Sequence, residues 1–394
     1  MNKEIQKLET AAKYSITCLR EKQPFSANGK NVHAITSEIP ASIILPNIFI
    51  PYDTPSNPEG YQREPNHGRI SKLGKTLINK NVNFPTSIVV NIRNEDALNF
   101  VEKNKFIYHP ELHGELVVMD GQHRLLSMQY ALDHLDDQER IDYLSSVEFT
   151  VTVTFTADIL FEMQMFQDIN DNAKSIPALN KSSLMLKRIG LSDHELAEEY
   201  NAKDENWKII TGRISENLNK DANSVWYSRI KFPGAKALAP NVSLQAIIRY
   251  FGEVVKSPKV SKKGAKRQKY SIDIINSYWD GFRKAFPDMF DDNANKYTVQ
   301  SSLGAHIIMK LWPLMSEWIL DNDDLEQKSL LESDTYIPAF EHLLKHCEGR
   351  NSNGTLVTGS TFWLKGKEGY VGAYSSEGGK KILFDQLSKH FMDS

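Results

Sequence analysis

The stretch from Glu115 to Leu132 constrains the fold more than any other part of the chain. Leu116-Val117-Val118-Met119 is an apolar run of strand length, and Asp120-Gly121 breaks it. Leu125, Leu126, Met128 and Leu132 then recur at helical spacing, which predicts a helix from near Gln122. A strand that ends in Asp-Gly and feeds a helix leaves backbone N–H groups unpaired at the helix start. Those donors and the helix dipole attract anions, phosphate above all. His123 and Arg124 add positive charge at an end where the dipole disfavours it, and a bound anion would offset that cost. The same pattern also serves a plain strand-to-helix turn with Asp120 as N-cap, and the residues alone leave both readings open.

Patterning places further elements around this one. Residues 2–22 carry Ile5, Leu8, Ala12 and Ile16 on one stripe and are expected to form an amphipathic helix. Short strands are expected over residues 34–50, and a Pro-, Asn- and Gly-rich loop over Asp53 to Pro65. Helices are predicted over 68–79, 95–102, 122–136 and 157–168, and strands over 84–92, 115–119 and 147–155. Alternation of strands and helices implies a mixed α/β domain. From about Ser182 the periodicity is helical, over 192–201, 205–218, 241–255, 271–286, 300–320 and 336–347. Trp207, Trp226, Trp279, Trp312 and Trp318 are expected to pack among these helices. Residues 359–365 and 369–374 suggest a small hairpin or flap, and a last helix is expected over 379–391.

The 394 residues suit one large domain or two ordinary ones. A net charge of −3 argues against a broadly basic nucleic-acid protein but allows a local basic patch. Two cysteines, Cys18 and Cys347, give no disulfide framework and suit a reducing cytosol, so a cytoplasmic location is expected. The start shows no apolar signal core, and no apolar run approaches the roughly 18 residues of a membrane span, so no membrane association is expected. His109 and His113 have helical ligand spacing, but Pro110 intervenes and no His-Glu-x-x-His pattern accompanies them, which argues against zinc. There is no Walker-type loop and no Gly-x-Ser-x-Gly elbow.

Residues 256–269 hold seven basic side chains and no acid. An exposed, mobile loop is expected there. It reads equally as solvated surface or as a DNA contact through Lys259, Lys262, Lys263, Lys266, Arg267 and Lys269.

The motif Asp120-Gly121-Gln122-His123-Arg124 resembles the signature of the DGQHR-domain family, which includes DndB- and DpdB-like DNA-modification proteins. Tyr61-Gln62-Arg63-Glu64, Arg69 to Leu73 and Asn83 to Val90 upstream, and Phe166 to Asn170 and Lys174 to Ile176 downstream, support the resemblance. It covers roughly residues 38–190 and implies a ParB/sulfiredoxin-like fold, in which a glycine-arginine loop holds a nucleotide phosphate. The expected organisation is a helical extension over 1–37, this α/β domain over 38–190 and a mainly α-helical domain over 191–394. A sulfiredoxin-like reductase would need a Cys where Gln122 stands, and the ParB-type loop lacks His123, so the nucleotide base does not carry over.

The resemblance implies an accessory protein of a DNA-modification system, an ATPase using ATP and Mg²⁺. Its partners would be DNA and a modifying enzyme of the same cluster, with a homo-oligomer allowed. In this reading Gly121 admits a phosphate, Gln122 donates to it and Arg124 grips it in a bidentate fork. Gln62 and Arg63 lie over the loop, His123 neutralises phosphate or donates a proton, and Asp120 holds Mg²⁺, orients water or merely caps. Asn170 is expected either to make a polar contact near the site or to cap its own segment. The rivals are a non-enzymatic DNA-binding regulator of a phosphorothioation cluster and, more weakly, a ParB-like nuclease.

Overall fold

The computed structural model describes residues 13–27, 30–80, 84, 86–173, 178–260, 265–322, 325 and 329–392. The chain divides into two compact units, residues 1–177 and 178–394.

An eight-stranded mixed sheet dominates the first unit, in the order β3-β7-β4-β8-β2-β1-β6-β5. Its strands are β1 (Tyr14–Ala27), β2 (Lys30–Pro40), β3 (Ile48–Phe49), β4 (Ile88–Ile92), β5 (Val101–Glu102), β6 (Lys105–Tyr108), β7 (Leu116–Asp120) and β8 (Glu148–Phe155). The β3–β7 and β4–β8 pairs are parallel and the others antiparallel. Helices α1 (His67–Asn79), α2 (Gln122–Asp133), α3 (Gln138–Ser146) and α4 (Ile159–Ala173) complete the main elements.

Strand β7 is buried on both faces, which explains its unbroken apolar run. Leu116 and Val118 join Ile88, Val90, Ile92, Val151 and Val153 in one core with Leu125 and Met128 of α2. Met119 points the other way, against Phe161 of α4 and Val32 of β2. Burial in β8 alternates at its start, so Glu148 and Thr150 face outward, whereas Thr154 near its end is buried and donates to Asn91 Oδ1.

The expected N-terminal helix over 2–22 is corrected: residues 14–22 belong to β1, and residues 1–12 lie outside the described residues. Ile16 and Cys18 are buried with the period of a strand. Residues 30–40 likewise form β2, so the described part of the expected helical extension belongs to the sheet instead. The short helix expected over 95–102 is a 3-10 helix, Glu95–Phe100, followed by β5. The helix expected to end at Asp168 runs on to Ala173, so Asn170 is helical.

The second unit is mainly helical, as the periodicity indicates. It contains α5 (Ala178–Gly190), α6 (His194–Ala202), α7 (Asn206–Lys220), α8 (Leu244–Lys256), α9 (Ala265–Ala285), α10 (Ser302–Asp321), α11 (Ile337–Lys345) and α12 (Glu377–Ser388). Aromatic rings fill its core: Trp226 meets Trp279 edge to face at 4.9 Å, and Phe282 stacks on Phe340 at 4.2 Å. Trp312 is fully buried there, whereas Trp207 and Trp318 sit at its border. Trp363, which the pattern did not single out, is equally buried.

A hairpin forms, but upstream of the place expected. Glu348–Arg350 pairs with Leu356–Thr358, while Gly359–Trp363 and Val371–Tyr374 are 3-10 turns. The basic segment also departs from a mobile loop. Lys256 ends α8 and residues 265–269 begin α9, with residues 261–264 outside the described residues.

Candidate functional site

The DGQHR motif sits where β7 gives way to α2. Gly121 has φ 100°, a left-handed conformation that L side chains rarely adopt. A Cβ there would lie 2.4 Å from Ile88 Cδ1, so glycine serves both the turn and its packing against β4. Asp120 makes no N-cap hydrogen bond to α2, whose cap residue is Gly121 with no side-chain acceptor. The capping alternative for Asp120 is thereby removed, and the first-turn N–H groups of α2 have no side-chain cap.

Arg124 corrects the expectation of a phosphate fork. Its Nη1 donates to the backbone and hydroxyl oxygens of Thr86. Its Nη2 donates to Ser87 O at 3.0 Å and to Asp120 Oδ2 at 3.0 Å. Four donations therefore engage both terminal nitrogens, and the side chain is only 16% exposed. Burial lowers its pKa, opposed by the Asp120 carboxylate. Arg124 is a clamp that ties the start of α2 to the chain entering β4. Its aim was legible from charge alone, but its partners were not.

Gln62 is also structural. Strand β3 pairs with β7 only as far as Phe49 and Val117. Where that pairing stops, Gln62 Nε2 donates to Val118 O and continues the edge. Its Oε1 is buried without a hydrogen-bond partner, and so is Oε1 of Gln122. Asn170 Nδ2 donates to Phe166 O, one turn back in α4, at 2.7 Å. Residues 174–176, quoted for the same resemblance, lie outside the described residues.

Positive charge that is not so engaged gathers around His123. Asn66 caps α1 by accepting from the Arg69 N–H, and its own N–H donates to His123 Nε2 at 3.4 Å. The starts of α1 and α2 thus meet at His123. Arg63 and Arg69 are exposed and have no ion-pair partner among the described residues. Burial lowers the His123 pKa, and the charges of Arg69 and then Arg63 lower it further, against a smaller pull from Asp120. Two guanidinium groups close enough to repel a proton from one imidazole mark a local positive potential. Asp120 stands at its edge, 40% exposed, with Oδ2 on Arg124.

A buried ionic node lies behind β7 and β4 that the sequence reading did not single out. Glu162 is fully buried and accepts from Arg93 Nε at 2.9 Å and Nη2 at 2.8 Å, from Asn91 Nδ2 at 2.7 Å and from Tyr61 OH at 3.3 Å. Burial, then the Glu162 charge, raises the Tyr61 pKa well above its ordinary value. Tyr61 and Gln62 are consecutive, so the node fixes the segment that carries Arg63. An Asn inside Val89-Val90-Asn91-Ile92 and a Glu inside Leu160-Phe161-Glu162-Met163 were the available signals.

His113 Nδ1 accepts from the His109 N–H at 3.2 Å within a cluster of Phe100, Phe106 and Tyr108. No group of three His, Cys, Asp or Glu with ligand geometry occurs among the described residues. No helix among them is long and apolar enough to cross a membrane.

The DNA-contact expectation for the basic segment is corrected in part. Lys259 Nζ donates to Pro313 O at 3.2 Å and Ser316 Oγ at 3.1 Å, and Arg267 donates to Val255 O. These two close off carbonyls of α10 and α8. Lys266 and Lys269 are exposed, and Lys262 and Lys263 lie outside the described residues.

No curated protein and no solved structure matches the chain significantly. A family model described as DndB, DNA-sulfur modification-associated, matches residues 31–310, which is 280 of the 394 residues. The match contains the whole sheet from β2 onward, the DGQHR loop and the ionic node behind it, and on that extent the chain belongs to the DndB family of DNA-sulfur modification-associated proteins.

Proposed function

We propose that this chain serves a DNA-sulfur modification system by binding a nucleoside triphosphate, ATP in the simplest case, at the DGQHR crevice and hydrolysing it. The observation that carries the reading is the convergence of Arg63, Arg69 and the uncapped start of α2 on His123. Charges held together without partners cost stability, and a polyphosphate relieves that cost. Arg63 and Arg69 would grip phosphate oxygens, and His123 would hydrogen-bond one. Arg124 acts at one remove, by fixing the loop and orienting Asp120.

The donor set fits Mg²⁺, which is commonly held by one or two carboxylates together with substrate phosphates. Asp120 would be the protein ligand through Oδ1. When bound, Mg²⁺ would neutralise charge that develops on the phosphates. The resemblance to ParB/sulfiredoxin-like proteins would place a phosphate on a glycine-arginine loop, with Arg63 and Arg69 here in the part of the engaged Arg124, and it enters as analogy only. Hydrolysis would then drive a step on DNA or on a partner modifying enzyme.

The test is phosphate release from ATP with Mg²⁺, with and without duplex DNA. Turnover is expected in the wild type. Asp120→Asn should abolish turnover and keep ATP binding, while Arg63→Ala with Arg69→Ala should lose binding itself. Absence of turnover, with duplex binding that depends on Arg63 and Arg69, would instead support the DNA-binding regulator.

A further inference from the structure

The helical unit contains a cavity of about 320 Å³ that the reading above does not use. It is lined from four helices: Trp207 of α7, Arg249 and Lys256 of α8, His306 and Lys310 of α10, and Lys380 of α12. Four cations face two acids, Glu253 and Glu377, and Glu377 is already paired with Lys380. Within a chain of net charge −3 this is a concentrated positive lining.

The lining is also aromatic. The Trp207 indole rests on Gly252, where a Cβ would come within 2.7 Å of its Cζ3, so α8 leaves room for the ring at that one position. Lys256 holds its ammonium 4.8 Å above the same ring. Tyr250 is fixed by Ser302 Oγ at 2.9 Å and meets the His306 ring edge to face at 5.0 Å. Burial, then Lys380 and Lys310, lower the His306 pKa, which places both lysines near that imidazole. Lys310 further packs its ammonium 4.1 Å from the Phe384 ring centre.

We propose that this cavity binds a nucleoside monophosphate unit, its base on Trp207 and its phosphate among Arg249, Lys310 and Lys380. An aromatic platform beside clustered cations is the combination that holds a nucleotide through its flat base and its charge together. The volume lies at the lower end of small-ligand pockets, which suits one nucleotide and not a longer strand inside. The unit is either a free nucleotide or the 5′-phosphorylated end of a single DNA strand. In either case the base displaces the Lys256 ammonium, which is freed to meet the phosphate.

The test is calorimetric titration of 5′-AMP, and separately of a short single-stranded DNA with a 5′-phosphate, into the full chain carrying Arg63→Ala and Arg69→Ala. Those two substitutions remove the crevice of the sheet unit from the count, so the two sites fail independently. One site is expected, weakened about tenfold or more by Trp207→Leu and by Lys310→Glu. Arg249→Glu should weaken it similarly, and Arg249 is exposed, so that variant carries no risk to the core. Binding of AMP assigns a free nucleotide, and binding of the oligonucleotide alone assigns a strand end. Binding of neither ligand, or binding indifferent to Arg249→Glu and Lys310→Glu, overturns the proposal. Inorganic phosphate binding as tightly as AMP, with no effect of Trp207→Leu, overturns the base subsite.

Discussion

The DGQHR crevice and the segment 256–269 both concentrate positive charge, and the fold uses that charge differently. In the segment, Lys256 lies over Trp207, Lys259 donates to Pro313 O and Ser316, and Arg267 donates to Val255 O. In the crevice, Arg124 is consumed in the same way, but Arg63 and Arg69 are left exposed around an imidazole they help keep neutral. A basic residue in a sequence is therefore an anion ligand only after its donors have been counted. Charge density alone ranks the segment above the crevice, and the count of engaged donors reverses that order.

The largest expected effect comes from the node that holds the crevice in place. Glu162→Ala leaves Arg93, Asn91 and Tyr61 without their shared acceptor. Arg93 is 35% exposed and regains water, so the loss should fall near the lower end of the about 3–5 kcal/mol for a buried pair broken from one side, read by denaturant unfolding. Arg124→Ala comes next, at about 2–3 kcal/mol, because acceptors on Thr86, Ser87 and Asp120 lose a charged donor together. Gly121→Ala should cost about 1–3 kcal/mol through backbone strain, to which contact with Ile88 adds. A stability loss in Arg124→Ala no larger than in Arg63→Ala would break the distinction between clamp and ligand.

The same contrast is sharper in the basic segment. Lys259→Met should cost about 1 kcal/mol, whereas Lys266→Ala and Lys269→Ala should stay within about 0.5 kcal/mol. The half-buried Lys259 also has its pKa lowered by burial, as expected of a lysine drawn off the surface.

Acid should act through His113. Burial, then His109, pushes its pKa down to about 4 from an ordinary 6.5. The unfolded chain therefore binds a proton more readily than the folded one between those values. This contribution is complete above pH 6.5, falls as pH drops, and is gone below about 4. His113→Phe should flatten that part of the profile of stability against pH. At His123 the opposite consequence is functional: as pH falls through its lowered pKa, the imidazole gains charge and phosphate affinity should rise.

Much of this architecture is legible in the sequence where one local rule decides. The β7-to-α2 junction is, because the apolar period changes at Asp120-Gly121. Most helices of the second unit are, because they carry an apolar stripe, although α5 over Ala178–Gly190 is not among those expected. β1 is not, because Ile16 falls on a helical stripe with Ile5, Leu8 and Ala12 as readily as on the alternation with Cys18 that the sheet selects. The site is only half legible. Gly121, His123 and Arg63 can be named from the motif and its neighbours, but the role of Arg124 depends on Thr86 and Ser87, which are 38 and 37 residues away. The Glu162 node joins residues 61, 91, 93 and 162, and no local pattern announces such a meeting.

The most direct measurement is the affinity of inorganic tripolyphosphate, which lacks the base that the cavity of the helical unit would stack, for the wild type and for Arg63→Ala with Arg69→Ala. The account predicts binding to the wild type that tightens as pH falls and weakens about tenfold or more in the double variant, whose unfolding curve should show no loss of stability. Equal affinity in the two proteins, or no binding to the wild type, would contradict the assignment of the DGQHR crevice as a phosphate site.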